Sequence, residues 1–291
     1  MLDLVRLSPR RIFPPGGEDL YRQIGLLTDL SPGMELLNVA CGKGVGLEFF
    51  VREFGVTGTG VDEDPNLVSQ AEGHFRAVEL ARDVTFQSAP ASDLPFRDET
   101  FDVVVGEVGL AASVEPDRAI LELVRVTRPG GRVVLVQLVW QAPVDAHRKA
   151  VLSQHLGARP LMAVELRRIL IDSGVGELHT EDWIDAGTAF RSKARKPFPD
   201  FAELFNISEK LGIVRRARRE WGWQGVWTVF QREMEVHRLL TRERILGLNL
   251  LIGVKAGPST QDSEQSEGPL DGDRQASDLP LFGAGDGKTG A

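Results

Sequence analysis

Short apolar runs alternate with amphipathic stretches through the first half of this chain. Apolar runs of roughly four to eight residues between turn signals read as buried strands, and apolar positions recurring every three to four residues read as helices. The pattern predicts strands over Glu35–Ala40, Thr57–Asp62, Val84–Gln87, Phe101–Gly106 and Arg132–Val139. Helices are expected over Val45–Phe54, Asn66–Leu80 and Pro116–Thr127. Strands alternating with helices build a parallel sheet covered on both faces. Pro116 suits a first helical turn, and Pro129-Gly130-Gly131 stops that helix ahead of the fifth strand.

The flanks follow the same logic. Pro9, Pro14, Pro15, Gly16 and Gly17 punctuate an N-terminal arm, and a helix over Glu18–Leu30 then carries Leu20, Ile24, Leu27 and Leu30 on one face. Beyond Trp140 the pattern predicts helices over Val144–Leu156 and Leu161–Ile171, a strand over Glu177–Ile184 and a final strand over Leu248–Lys255. The segment Asp185–Gly247 has helical periodicity and contains Phe201, Phe205, Trp221, Trp223 and Trp227, which predicts a cap packed by aromatics. From Ala256 onward the chain is polar, acidic and rich in Gly, Ser and Pro, a composition expected to stay disordered apart from a small apolar island at Leu279, Leu281 and Phe282. The expected division is an arm and covering helix over 1–30, a core over 31–184, a cap over 185–247, the last core strand over 248–255 and a tail over 256–291.

Composition narrows the function classes. A chain of 291 residues that is 42% hydrophobic has room for one α/β domain with an appendage. A net charge of −8 argues against a general nucleic-acid binder, because phosphate neutralisation needs a basic surface. Locally the balance reverses, since Arg191, Lys193, Arg195, Lys196, Arg215, Arg216, Arg218 and Arg219 all fall within the cap. Cys41 is the only cysteine, so no intrachain disulfide or cysteine zinc cluster is expected, no metal site is predicted, and a reducing cytosol is the expected compartment. The N-terminal MLDLVRLSPRR lacks a long apolar run, and no stretch reaches the roughly 18 apolar residues of a membrane span. A soluble, cytoplasmic protein is expected.

The chemistry gathers at ELLNVACGKGVG, Glu35 to Gly46: a strand, a turn with Gly42, Gly44 and Gly46, and then a helix. Glycines permit positive φ and close approach of a ligand, while the free N–H groups opening the helix favour electronegative groups. Asp62 follows Gly42 by twenty residues at the tip of the second strand, where a carboxylate can accept hydrogen bonds from ribose hydroxyls. A dinucleotide fingerprint would place its third glycine at position 47, which is Leu47; the GxGxG spacing found instead points toward S-adenosylmethionine.

Four ordered segments carry a family resemblance. NVACGKG resembles the first motif of class I S-adenosylmethionine-dependent methyltransferases, and GVDEDPNLVSQA resembles their acidic second motif. Asp93-Leu94-Pro95-Phe96 with Asp98 to Val104 is similar to their DLPF and DxxFDxV stretch, and Arg128-Pro129-Gly130-Gly131 to their KPGG turn. The resemblance spans about residues 20–140 and is closest to the UbiE-like branch. It implies a Rossmann-like α/β fold: a doubly wound, mostly parallel seven-stranded sheet with a helical insertion before an antiparallel last strand. It also implies a methyltransferase with S-adenosyl-L-methionine as cofactor. The backbone at Ala40, Cys41, Gly42 and Gly44 would hold the methionine end, Asp62 the ribose and the Ala91 N–H the adenine ring.

Departures from the motifs frame the open questions. Asn38 stands where the family has an acid, and Ala40 replaces a glycine, which is tolerable if φ there is negative. Pro90 occupies the usual adenine-binding acid position, leaving Ser88 or Asp93 as substitutes. Glu107 follows the fourth strand, where it can face the cofactor's cationic end, act as a base or be a solvated loop acid. Tyr21, the only tyrosine, is expected either to pack the covering helix or to contact the sulfonium or the acceptor. These two are the catalytic candidates. The family's histidine pair is absent, and His147, His155, His179 and His237 are scattered. The absence of an NPPY-like run and the place of Cys41 inside the turn set aside amino-methylation of nucleic acid and covalent attack on cytosine.

The leading expectation is methyl transfer to a small-molecule or lipid-like acceptor. The alternatives are a non-catalytic S-adenosylmethionine-binding module and a methyltransferase acting on RNA or protein through the basic cap. Arginines beside tryptophans in the cap suit an apolar acceptor with an anionic group or peripheral contact with anionic lipid. Tryptophans sealing the cap and arginines on a solvated helix face are the competing reading.

Overall fold

The computed structural model describes residues 7–8, 10–112, 115–147, 149–150, 153, 158–183, 205–241, 243 and 245–257. Its strands are β1 Glu35–Val39, β2 Thr57–Asp62, β3 Val84–Ser88, β4 Phe101–Gly106, β5 Thr127–Trp140, β6 Leu161–Met162, β7 Val175–Trp183 and β8 Leu246–Lys255. The helices are α1 Gly17–Leu27, α2 Val45–Phe54, α3 Pro65–Ala77, α4 Pro116–Val126, α5 Ala163–Asp172 and α6 Ile207–Thr241. All of them lie in the unit Met1–Gly257; the expected tail falls almost wholly outside the described residues.

Seven strands form a path β3-β2-β1-β4-β5-β8-β7, with the two-residue β6 paired to the end of β5. β1 to β5 pair in parallel along it, and β8 runs antiparallel to both neighbours, as the doubly wound expectation requires. Alternation along each strand divides the core. Leu36, Val134, Val136, Leu248, Leu250 and Ile252 face a layer that includes Leu20, Ile24, Leu47, Phe50 and Phe75 from α1, α2 and α3. Leu37, Val39, Val133, Leu135 and Leu251 face the opposite layer with Ile120, Leu123, Leu166 and Leu170 from α4 and α5. Both faces of the sheet are thus covered, which explains why its strands read as continuous apolar runs.

Several boundaries differ for local reasons. α1 ends at Leu27 because Asp29 takes a φ of 52° and the Leu30 N–H returns to the Gly25 carbonyl, at 3.0 Å. β5 begins five residues early, at Thr127, which pairs with Phe101 before a register shift. Leu161–Met162 is strand where helix was expected, because β5 extends to Trp140 and offers an edge. The helix expected over Val144–Leu156 lies largely outside the described residues, as do Arg191, Lys193, Arg195, Lys196 and Phe201. Among the described residues no helix is long and apolar enough to cross a membrane.

α6 is a helix in two halves. Gly222 breaks it with φ 66° and ψ −180°. Ile213 and Ala217 before the break and Val226 and Val229 beyond it gather around buried Phe205, together with Trp221 and with Leu7 and Ile12 of the arm. The arm therefore joins this segment to the core: the Arg216 guanidinium donates to the Leu7 carbonyl at 2.8 Å and Lys43 Nζ to the Ser8 carbonyl at 2.7 Å.

Candidate active site

The strand order reverses between β1 and β4, and the crevice beyond their carboxyl ends is where open α/β sheets hold ligands. The turn from Ala40 to Gly44 rises there. It is fixed by backbone bonds from Cys41 N to Val61 O at 3.0 Å and from Gly44 N to Cys41 O at 2.9 Å. Gly44 then starts α2 with φ 68° and no side chain capping the helix, so the N–H groups of its first turn are not claimed by a cap. A Cβ built on Gly42 meets nothing within 4 Å, so the turn has open space above it there.

Ala40 corrects an expectation. Its φ is +58°, in the left-handed region, where a Cβ is disfavoured. The turn imposes a glycine conformation on an alanine, and Gly109 makes room for it: a Cβ on Gly109 would sit 2.8 Å from the Ala40 methyl.

Asp62 holds the turn in shape. One carboxylate oxygen accepts the Gly42 N–H at 2.8 Å and the other accepts the Asp64 N–H at 3.0 Å. Each oxygen has a further lone pair, so the carboxylate can also accept from a ligand hydroxyl. Ala91 lies two residues beyond Ala89, whose N–H reaches the Asp62 carbonyl at 3.2 Å. Of the adenine substitutes considered, Ser88 directs its hydroxyl to the Glu63 carbonyl at 3.4 Å.

The fourth strand delivers Glu107 to the same place. Its N–H donates to the Val39 carbonyl at 3.0 Å, and Gln137 from β5 donates to the carbonyls of Gly106 and Glu107 at 3.0 and 2.7 Å. The carboxyl is 4% exposed, so Glu107 is not a solvated loop acid. The Tyr21 hydroxyl donates to one of its oxygens, and Asn38 Nδ2 donates to the other at 3.0 Å. Burial pushes the Glu107 carboxyl up to about 7, against the two hydrogen bonds, which favour the charged form. Burial also pushes up the Tyr21 hydroxyl, with the neighbouring Glu107 adding to the shift.

Tyr21 packs into the core, and its hydroxyl meets Glu107. It packs between Phe13 and Phe50, with ring centroids 5.7 and 5.4 Å away, while its hydroxyl serves Glu107. Gly46 makes this possible: a Cβ there would sit 2.4 Å from the Tyr21 ring and 3.0 Å from a Glu107 oxygen. Gly46, Gln137 and the arm were missed as site residues. Gly46 had a signal in the third glycine of the turn; Gln137 and the arm had none, since their partners are distant in sequence.

These residues fit a cofactor with an adenosyl group and a cationic amino-acid end. Asn38 Oδ1 is buried without a hydrogen-bond partner among the described residues, so an acceptor stands beside the Glu107 carboxyl ready for a donor. The Asp62 carboxylate and the open space above Gly42 supply the rest. Cys41 is buried and its thiol is pushed up by burial, with Asp62 and Glu107 contributing, which makes it inert in the turn. Among the described residues no group of His, Cys, Asp and Glu is placed to hold a metal ion.

Comparison with known proteins agrees with this geometry. Residues 37–135 match the family model described as a methyltransferase domain. The chain is similar to Methyltransferase GfsG of Streptomyces halstedii, 30% identical over 209 residues that cover 71% of this chain and 74% of the relative. It is also similar to the ubiquinone/menaquinone biosynthesis C-methyltransferase UbiE of Geotalea daltonii, 34% identical over 109 residues, covering 37% of this chain and 46% of that one. Among solved structures it resembles the [4+2]-cyclase SpnF with a TM-score of 0.63, 23% identity and 82% coverage of both chains, a likeness of fold alone.

Proposed function

The chain belongs to the class I S-adenosylmethionine-dependent methyltransferases, and from that premise we propose that its acceptor is a small, lipid-like molecule bearing an anionic group. One observation carries the proposal. A narrow crevice of about 10 Å³ next to the Glu107 carbonyl, which must widen to admit an acceptor, is lined by Leu110, Ile120, Leu138, Leu161 and Leu166, with Gln137 and the exposed Arg159 as its polar members. Apolar walls with a few directed polar groups favour an apolar ligand held in one orientation.

Bound S-adenosylmethionine supplies an electrophilic methyl group on a sulfonium sulfur. In this reading the Ala40, Cys41, Gly42 and Gly44 backbone cradles the methionine end, Asp62 takes the ribose hydroxyls and the Ala91 N–H meets the adenine. Glu107 and Asn38 Oδ1 receive the cofactor's ammonium group, with Tyr21 and Asn38 Nδ2 fixing the carboxylate. Both Glu107 oxygens already accept hydrogen bonds and Tyr21 directs its proton to Glu107, so these residues position the cofactor and do not serve as a base. The chain then works by holding the methyl in line with an acceptor atom that is already ionised or neutral and nucleophilic. In the same reading the described part of the arm and α6 close the acceptor side of the core. The single cysteine supports action in the cytosol.

The test is incubation with methyl-labelled cofactor and pooled cellular extract. Label is expected in the organic phase, and label confined to RNA or protein would overturn the acceptor class. Cofactor binding without any release of S-adenosylhomocysteine would overturn turnover itself.

A further inference from the structure

Beyond the break at Gly222, α6 carries two apolar stripes. The first, Val226 and Val229, packs against Phe205, Ile213 and Ala217. The second consists of Trp223, Trp227, Phe230 and Met234, which are 62, 62, 43 and 55% exposed. Their spacing of four, three and four residues places all four within one narrow arc of the helix. Trp227 and Phe230 stack with centroids 6.2 Å apart, so the stripe is a continuous surface of about 16 Å.

Cations adjoin this stripe. The Arg218 guanidinium lies over the Trp223 ring, 4.9 Å from its centroid, and joins the two halves of the helix. Arg215 and Arg219 are exposed on the same half as Arg218, whereas Arg216 is turned inward to the Leu7 carbonyl. Over Ile207–Thr241 seven Lys and Arg stand against four Glu, a local charge of +3 in a chain of −8. The competing expectation that the tryptophans seal the cap holds for Trp221 and fails for Trp223 and Trp227.

The geometry points to a docking face for the surface of an anionic phospholipid membrane. Tryptophan and phenylalanine settle at the boundary of headgroups and acyl chains, and Arg218 against Trp223, with the exposed Arg215 and Arg219 on the preceding half, supplies cations for phosphates. A second copy of the chain fits less well. The exposed stripe amounts to on the order of 500 Å² of apolar surface, so a symmetric pair would bury about 1,000 Å² in total, short of the roughly 1,200–2,000 Å² of a stable interface. The inference does not depend on the identity of the acceptor.

The test uses the full chain and vesicles of phosphatidylglycerol with phosphatidylcholine, compared with phosphatidylcholine alone. Co-sedimentation is expected with the anionic vesicles only, and it should fall at least tenfold when salt rises from about 0.05 to 0.5 M. Brominated acyl chains should quench tryptophan emission. The double variant Trp223→Ser, Trp227→Ser should lose both signals while its S-adenosylhomocysteine affinity, measured by calorimetry, stays within twofold. The triple variant Arg215→Gln, Arg218→Gln, Arg219→Gln should likewise lose both signals, again with cofactor affinity retained, so failure of docking is separable from failure of the methyltransferase site. No binding to any vesicle, equal binding to neutral vesicles, or unchanged binding by the tryptophan variant would each overturn the proposal. So would a concentration-dependent dimer that disappears in the tryptophan variant, which would name a second copy as the occupant.

Discussion

The turn at Ala40–Gly44 and the distal half of α6 use their side chains in opposite ways. Around the turn, nearly every polar group is tied to another part of the core: Asp62 to two backbone N–H groups, Glu107 to Tyr21 and Asn38, Gln137 to two carbonyls. Beyond Gly222 on α6, Trp223, Trp227, Phe230 and Met234 face outward, with Trp227 stacked on Phe230 and Trp223 under the Arg218 guanidinium. A site built by mutual constraint is pre-organised and intolerant of change, while an exposed stripe contributes little to folding and is free to serve an external surface. The contrast predicts a gradient of mutational effects.

Asp62→Ala should be the most damaging. It leaves the Gly42 and Asp64 N–H groups without their acceptor and removes the proposed ribose ligand, so a loss of about 2–4 kcal/mol in stability and at least about 100-fold in S-adenosylhomocysteine affinity is expected. Urea unfolding and calorimetry measure the two, and an affinity within threefold of wild type contradicts the ribose assignment.

Glu107→Gln should act mainly on the cofactor and on pH dependence. The folded-state value of about 7 lies above the ordinary 4.5, so the contribution of Glu107 to stability is fully present below about pH 4.5 and is lost as pH rises through 7. The loss amounts to about 3 kcal/mol, and the variant should therefore gain on wild type between pH 5 and pH 8. Because the proposed ammonium partner is the charged form of Glu107, wild-type affinity for S-adenosylhomocysteine should tighten about tenfold from pH 6 to pH 8, and the variant should show no such trend. A pH-independent wild type would dissociate Glu107 from the cofactor.

Ala40→Gly should raise stability by about 1 kcal/mol, since it relieves the left-handed conformation at a φ of +58°. Thermal unfolding reads this directly, and destabilisation would mean that the methyl's contact near Gly109 outweighs the strain. The smallest effect belongs to the other region: Trp227→Ser should change stability by less than about 0.5 kcal/mol. A larger loss would show that the stripe is part of the fold, ending the contrast between the two regions.

Much of this arrangement was legible before any coordinates. The apolar runs located β1, β2 and β4 to within a residue because strands buried on both faces leave little ambiguity in pattern. The glycine spacing and Asp62 pointed to one edge of the sheet, and there Asp62 does meet Gly42. Less visible was the bond between Asn38 and Glu107, which are 69 residues apart. Asn38 read as a lost carboxylate and Glu107 as an acid of open role, and only the adjacency of β1 and β4 makes them one group. Ala40 misled because alanine carries no local sign that a turn will force positive φ. In the cap, periodicity announced a helix but not the break at Gly222 or the direction of each tryptophan.

What the amino-acid order determined by itself was therefore local and periodic: strands, helices, the glycine turn, and through its motifs the family and cofactor. These follow from near-neighbour sterics and from the need to hide apolar faces, both written along the chain. The tertiary structure alone decided which polar groups meet and which apolar groups remain outside. Tyr21 and Asn38 become partners of Glu107 because packing of α1 on the sheet and the β1–β4 pairing bring three distant segments into one low-dielectric space, where an unmatched polar atom is costly. Trp223 and Trp227 remain exposed because the break at Gly222 turns Val226 and Val229 toward the arm and leaves the next arc of the helix facing out.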